Sequence, residues 1–185
     1  MPAYPTQAVN DVVKIDANHA NLVCALVMCT KPRRILELGF GAGEATRSIL
    51  VGLRYNKTAF EYTVVDNWVD FGGTQPAITT NEEFSSVKFI TSGEYEFIKE
   101  PHALFDFIFS DADHYNTQHW FEHVYTNLLG RGGILIYHDV TNPGFPNLLR
   151  IYTDSVRKNY NHILLNVSSR PDERCGRGML VIFKH

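Results

Sequence analysis

Five aspartate and histidine side chains stand in two short runs, SDADHY at 110–115 and YHDV at 137–140, each directly after a stretch rich in Phe, Ile and Leu. If both stretches are parallel strands, Asp111, Asp113, His114, His138 and Asp139 gather at the carboxyl ends of neighbouring strands, where open α/β sheets bind ligands. Asp111 and Asp139 are oxygen donors of the kind a hard cation such as Mg²⁺ accepts, while His138 suits a softer ion. His114, as an imidazole near neutral pKa, can take a proton from a hydroxyl, so it is the candidate base. Plainer roles compete. Asp113 reads as an acceptor for amides at the start of the next helix, His114 reads equally well as a cap there, and His138 reads as a satisfied strand-end residue. His119 and His123, one helical turn apart with no partner motif to support a metal pair, are read as surface.

A second candidate site is ILELGFGAGEAT, residues 35–46, which runs from an apolar strand into a glycine turn and then a helix. The dinucleotide fingerprint G-x-G-x-x-G needs a third glycine for close packing of helix on strand. Counted from Gly39 and Gly41 that position is Glu44, and counted from Gly41 and Gly43 it is Thr46, so neither frame fits. The phosphate loop of nucleotide triphosphatases fails too, because no Lys-Ser or Lys-Thr follows the glycines. Glu37 before the turn and Glu44 after it would repel a pyrophosphate at the helix amino terminus and suit a cationic ligand. S-adenosylmethionine, with a sulfonium, an ammonium and a ribose but no phosphate, is such a ligand. Asp66, at the end of the next strand, is placed for hydrogen bonds to ribose hydroxyls at the sheet's switch point. The plainer reading is a strand-to-helix turn whose acids cap the helix and face water.

The elements that must position these residues alternate between short β-rich runs and longer helical ones, which argues for an α/β domain with a mostly parallel sheet. A helix over 17–30 stops at Lys31-Pro32 and is followed by the strand RRILEL; a helix then spans roughly Glu44 to Tyr55. FEYTVV, VKFI, LFDFIFS and ILIYHD supply further strands. HWFEHVYTNLL reads as a helix stopped by Gly130 and Gly132-Gly133, and NLLRIYTDSVRKNY as another helix. The final pair, HILLNVSS and GMLVIFK, is joined by the short loop RPDERCGR, which forces the last strand antiparallel to its neighbour. Residues 67–85, rich in Gly, Thr, Asn and Pro, read as a variable loop or broken helix near the acceptor site.

The run from Glu37 to Gly43, Asp66, FDFIFSDADH and GGILIYHDV together resemble the class I S-adenosylmethionine-dependent methyltransferases, over most of the chain from about residue 17 onward. Within that class the chain is similar to the small-molecule O-methyltransferases of the catechol and caffeoyl-CoA type and to their bacterial relatives with a DADH motif. The resemblance implies a Rossmann-like fold: a seven-stranded, mostly parallel sheet with its last strand antiparallel and helices on both faces. It implies cofactor contacts from Glu37, Gly39, Gly41, Gly43, Asp66 and Asp111, and adenine contacts from Ser92 and Gly93, with Glu94 nearby. It also implies a metal ligand at Asp111, with a catalytic Lys at the position held here by His114. His138-Asp139 stands where the family has an Asp-Asn pair, so metal dependence stays open, with Asp111, Asp139 and His138 as the ligands to consider. The function expected is methyl transfer to a hydroxyl of a small molecule. An N-directed methyltransferase, a cofactor-binding partner protein without catalysis, and a dinucleotide oxidoreductase are the alternatives.

Composition sets the outer limits. The chain has 185 residues, enough for a single domain and too few for two. It is 44% hydrophobic and 20% charged, as soluble proteins are, and no apolar run reaches membrane-spanning length. A formal net charge of −3 with scattered Lys and Arg offers no basic stripe, so nucleic acid is not an expected partner. No secretory signal is visible in MPAYPTQAVNDVVKID, and a cytoplasmic location is expected. Cys24, Cys29 and Cys175 include no CxxC pair and read as buried or reduced thiols. Trp68 and Phe71 fit either adenine or acceptor contact or ordinary loop packing, and Arg170, Arg174 and Arg177 read as a solvated loop. Leu22 and Leu26 read as core or dimer surface, and the short amino-terminal region leaves room for a homodimer partner to complete the lid.

Overall fold

In β1 (Arg34–Leu38), Ile35 and Leu36 are adjacent and both fully buried, which requires cover on both faces of the strand because successive side chains point to opposite sides. A computed structural model describes residues 15, 17–165 and 177–185 and supplies that cover. Ile35, Phe107, Phe109, Ile134 and Ile136 face one apolar cluster, shared with Val23, Val27, Ile49 and Leu53. Leu36, Leu38, Ile108 and Leu135 face the other, shared with Phe121, Val124 and Val156.

The strands are β1, β2 (Glu61–Asp66), β3 (Val87–Thr91), β4 (Phe105–Ser110), β5 (Leu129–His138), β6 (Asn161–Leu165) and β7 (Met179–Phe183), in the spatial order β3-β2-β1-β4-β5-β7-β6. Pairings from β3 through β5 are parallel, and β7 is antiparallel to both β5 and β6, as the short final connection requires. The order reverses between β1 and β4, so the turns after these two strands diverge and leave a crevice.

Helices α1 (Ala17–Thr30) and α2 (Glu44–Asn56) pack against each other on one face. The helical segments 117–128 and 146–159 cover the other and include π turns at Val124–Leu128 and Ile151–Val156. α3 (Glu94–Ile98) is a short helix after β3. No described helix is long and apolar enough to cross a membrane. Residues 67–85 form three 3-10 turns, Val69–Phe71, Ala77–Thr80 and Glu82–Phe84. Arg170, Arg174 and Cys175 lie outside the described residues, as does most of the amino-terminal segment before α1.

One boundary differs from the sequence reading. The glycines after Leu129 do not end a helix ahead of the strand but lie inside β5, where the register to β4 shifts between Phe105 and Phe107. Gly132 takes φ +78, and backbone bonds between Gly132, Gly133 and Lys184 hold the irregularity in the sheet.

The α1–α2 contact is close enough to test. A Cβ on Gly52 would stand 2.8 Å from Val27 Cγ1 and 2.9 Å from the Cys24 carbonyl oxygen. Alanine raises helix propensity by about 1 kcal/mol, but overpacking costs about 1–3 kcal/mol, and a backbone oxygen yields less than a side chain. Gly52→Ala is therefore expected to lower the urea midpoint, for a net loss of about 1–2 kcal/mol; an unchanged or raised midpoint would show that the helices simply separate.

Candidate functional site

The sheet ladder continues past the strand ends. Gly39 N–H donates to Val65 O at 2.9 Å, Asp111 N–H to Leu38 O at 2.8 Å, and Ser92 N–H to Asp66 O at 3.1 Å. These bonds fix the turns after β1, β2, β3 and β4 around one cavity of about 970 Å³ at the switch point. Gly39 allows the closest approach: its φ is +89, and a Cβ there would lie 2.5 Å from the Asp111 carbonyl oxygen. Gly43 opens α2 at φ +78, with the Phe40 ring 2.7 Å from where a Cβ would be. Gly43, expected to contact the cofactor, and His138 do not border the cavity, whereas Gly39, Gly41, Asp66, Ser92, Gly93, Asp111, His114 and Asp139 all do.

Glu37 is not among them. It is fully buried in β1, beneath the turn, where it accepts hydrogen bonds from Thr46 Oγ1 at 2.9–3.0 Å and from the Tyr62 hydroxyl. Loss of hydration pushes its pKa up to about 8 against the pull of those two donors. Glu37 thus ties β1 to β2 and α2 and does not border the cavity, so the expected cofactor contact from its side chain is corrected. Glu44 does reach the cavity rim, with Arg47 at 3.6 Å.

Asp66 accepts from the Phe40 amide at 2.7 Å and the Trp68 amide at 2.5 Å. Burial raises its pKa, opposed by these backbone donors. Its carboxylate joins the glycine turn to the loop after β2 while still bordering the cavity. Trp68 is fully buried against Phe40, Phe71 and Phe89 and donates Nε1–H to Thr91 Oγ1 at 2.8 Å, which settles it and Phe71 as loop packing. Of the loop 67–85, Asn67, Val69 and Asp70 border the cavity, beside Asp66 rather than on the β4–β5 side.

Across the crevice lies a cluster of opposed charges. His114 Nε2 stands 3.1 Å from Asp111 Oδ1 and 3.4 Å from Asp139 Oδ2. His138 Nδ1 stands 3.3 Å from Asp111 Oδ2 and 3.7 Å from Asp139 Oδ1. Each carboxylate therefore gives one oxygen to each imidazole. Burial disfavours every charge here, yet the pairs outweigh it. Asp111 is held well below the usual carboxylate range by His138 and His114. His138 is raised by Asp111 and Asp139, and His114 is pushed up to about 10 by the same two acids. In the metal-free protein His114 is thus an imidazolium at neutral pH, which corrects the expectation of a near-neutral base. Its ring stacks on Phe145 at 4.3 Å, and Tyr115 meets Phe145 edge-on at 5.6 Å.

The donor chemistry fits a cation. Asp111, His138 and Asp139 each offer a ligand atom, all within 4.8 Å of one another, and His138 Nδ1 and Asp139 Oδ1 are buried without a hydrogen bond. Asp139 sits at φ +58, a left-handed conformation that Asp tolerates and that often marks functional turns.

Sequence reasoning placed three neighbours differently or passed over them. Arg177 turns inward, bordering the cavity with Nε 3.9 Å from Asp139 Oδ1, and is not a solvated loop residue. Glu94 is buried and accepts from the Asp113 amide at 3.1 Å and from Ser110 and Thr117 hydroxyls at 3.3 Å, fastening α3 to the β4 turn; burial pushes it up to about 7. His19 is buried on α1 beside His138, and its place on the i, i+4, i+8 stripe with Val23 and Val27 was the signal for it. Asp113 accepts from the Tyr115 and Asn116 amides at 3.2 Å, as its capping role requires. His119 and His123 are exposed.

Residues 36–140, more than half of the chain, match the family described as a methyltransferase domain. No curated protein sequence matches. Among solved structures, an O-methyltransferase from Bacillus cereus in complex with S-adenosylhomocysteine is similar at 20% identity and TM-score 0.71, over 100% of this chain and 93% of that one. A methyltransferase from Podospora anserina, bound to S-adenosylhomocysteine, is similar at 17% identity and TM-score 0.67, over 97% and 84%. The O-methyltransferase TomG from Streptomyces achromogenes, involved in tomaymycin synthesis and in complex with S-adenosylmethionine, is similar at 15% identity and TM-score 0.66, over 94% and 82%. At these identities the likeness is one of fold.

The buried Glu37 predicts a pH dependence of stability. Its folded pKa of about 8 lies above its ordinary 4.5, so the folded protein holds this proton more tightly than the unfolded chain. The contribution is full below pH 4.5 and is lost as pH rises through about 8. Glu37→Gln is expected to flatten the fall in unfolding free energy between pH 5 and 8 by up to about 1.4 kcal/mol per pH unit. Urea titrations across that range with parallel slopes for both proteins would contradict this.

Proposed function

Because the chain belongs to the methyltransferase-domain family, we propose that it transfers a methyl group from S-adenosylmethionine to a hydroxyl of a small molecule. The observation that carries this reading is the single cavity that joins the glycine turn and Asp66 at one end to Asp111, His114 and Asp139 at the other. Two fold relatives are described as bound to S-adenosylhomocysteine and one to S-adenosylmethionine, which supports the same cofactor here.

Asp66 has lone pairs left beyond its two backbone donors and accepts the ribose hydroxyls. Gly39 and Gly41 let the cofactor lie against the backbone, and Ser92 and Gly93 border the adenine end. Glu44 at the rim and the absence of a basic side chain in the glycine turn disfavour a pyrophosphate. The acceptor enters beside Tyr115 and Phe145, whose rings suit a planar, largely apolar molecule.

In the reaction the acceptor oxygen forms a bond to the methyl carbon as the carbon–sulfur bond breaks, and sulfur keeps that electron pair. S-adenosylhomocysteine, a methyl ether and one proton are the products. The cavity's task is in-line placement and removal of that proton. His114 takes it, from the minority of molecules in which the imidazole is free, about one in a thousand at pH 7 for a pKa near 10. Such a base is matched to a phenolic hydroxyl, whose pKa is also about 10. Asp111 and Asp139 hold the ring in place and stabilise it once protonated. A divalent cation held by Asp111, His138 and Asp139 would lower the acceptor's pKa to the same end.

Two measurements test this reading. Calorimetry should detect binding of S-adenosylhomocysteine, weakened about tenfold or more by Asp66→Asn through the loss of charged hydrogen bonds to ribose; no binding to the wild type would remove the proposal's basis. With a phenolic acceptor and metal chelated, kcat/KM should climb about tenfold per unit from pH 7 toward 10. His114→Gln should abolish that climb and lower the rate about a hundredfold or more, whereas a flat wild-type profile would remove His114 from the role of base.

A further inference from the structure

Behind the charge cluster two histidines meet from parts of the chain 119 residues apart, His19 on α1 and His138 at the end of β5. His19 Nδ1 lies 3.1 Å from His138 Nε2, and the rings are edge-on with centroids 5.2 Å apart. Both side chains are buried, at 2% and 1% exposure, so their contact is a fixed part of the interior. When His138 donates its Nε2–H to His19 Nδ1, the lone pair of His138 is on Nδ1. That nitrogen faces Asp111 Oδ2 at 3.3 Å and Asp139 Oδ1 at 3.7 Å.

The other oxygens of these two carboxylates are engaged by His114, and the inner three atoms are what remains. Arg177 approaches Asp139 Oδ1 only to 3.9 Å. His138 Nδ1 and Asp139 Oδ1 are buried with ion-pair contacts of 3.3–3.9 Å but no hydrogen bond, and an ion between them would supply the close partner each lacks. Ligands about 2.1 Å from a central ion stand about 3–4 Å apart, as His138 Nδ1 does from each carboxylate oxygen, and all three ligand atoms lie within 4.8 Å of one another. Magnesium prefers oxygen ligands and water, whereas imidazole favours Fe²⁺, Co²⁺ and Zn²⁺. A ligating imidazole whose other nitrogen is held by a buried partner is the arrangement by which proteins orient such ligands.

We propose that Asp111, His138 and Asp139 bind a divalent transition ion of the Fe²⁺, Co²⁺ and Zn²⁺ class in preference to Mg²⁺, with His19 as the positioning residue that presents His138 Nδ1 to the ion. The proposal rests on the methyl-transfer reading of the same cavity and names the ion that would serve it. His19 has no part in the reaction itself and acts through His138.

The test uses the full chain, stripped of metal with a chelator and titrated with Co²⁺, whose visible absorption reports nitrogen ligation. Mg²⁺ serves as competitor, and binding of S-adenosylhomocysteine is measured on the same samples. One Co²⁺ per chain is expected, bound at least about tenfold more tightly than Mg²⁺, and His138→Asn should erase that preference. His19→Leu should weaken Co²⁺ about 10- to 100-fold while Mg²⁺ affinity stays within about twofold, and His19→Gln, which keeps an acceptor, should recover most of the loss. Equal or tighter Mg²⁺ binding by the wild type overturns the ion preference without any variant having to fold. Unchanged Co²⁺ affinity in His19→Leu overturns the role of His19. Absence of Co²⁺ binding with S-adenosylhomocysteine still bound overturns the metal site alone, whereas loss of both overturns the methyl-transfer reading with it.

Discussion

Two acids and two imidazoles share a small, partly buried volume where β4 and β5 end, and each charge is tolerable only because another opposes it. Asp111 and Asp139 each divide their oxygens between His114 and His138. Remove one member and each charge that faced it loses one of its two opposing partners, leaving a buried charge less than fully compensated. This mutual dependence explains the local backbone. Asp139 accepts a left-handed conformation at the strand end, Glu94 ties the β4 turn to α3, and Gly39 gives up a side chain so that the Asp111 carbonyl can pass over it.

The same constraint couples the two halves of the cavity. Gly39 belongs to the glycine turn and Asp111 to the charge cluster, and a hydrogen bond from the Asp111 amide to Leu38 O joins them. Under the proposed function the cofactor would bind on one side of this junction and the acceptor on the other. The two reacting atoms would then be brought together by the switch point of the sheet rather than by a flexible loop.

Most of the fold was legible because burial on both faces writes continuous apolar runs into β1, β4 and β5, and because the loop RPDERCGR is too short for a parallel crossover. The start of β5 was not, since glycines that stop a helix also permit a bulge, and only pairing with Phe105 and Lys184 decides between them. That Gly39, Gly41, Asp66, Ser92, Gly93, Asp111, His114 and Asp139 would border one cavity was legible because ligand-binding crevices at a parallel sheet gather at strand ends. What stayed hidden depends on solvation and on distant contacts. Glu37 looked like a ligand until its burial beneath Tyr62 and Thr46 was seen. His114 looked near neutral because Asp139, 25 positions away, does not announce itself as its partner. His19 lies further still from His138, so only the folded chain joins them.

The central claim is that one cavity holds an adenosyl cofactor with its sulfur turned toward the acidic cluster. A crystal structure with S-adenosylhomocysteine tests it most directly. The ribose hydroxyls are expected on the Asp66 carboxylate, the backbone of Gly39 and Gly41 against the ligand, and the sulfur facing the space bounded by Asp111 and His114. A ligand bound elsewhere, or in this cavity with its sulfur turned away from Asp111, would contradict it.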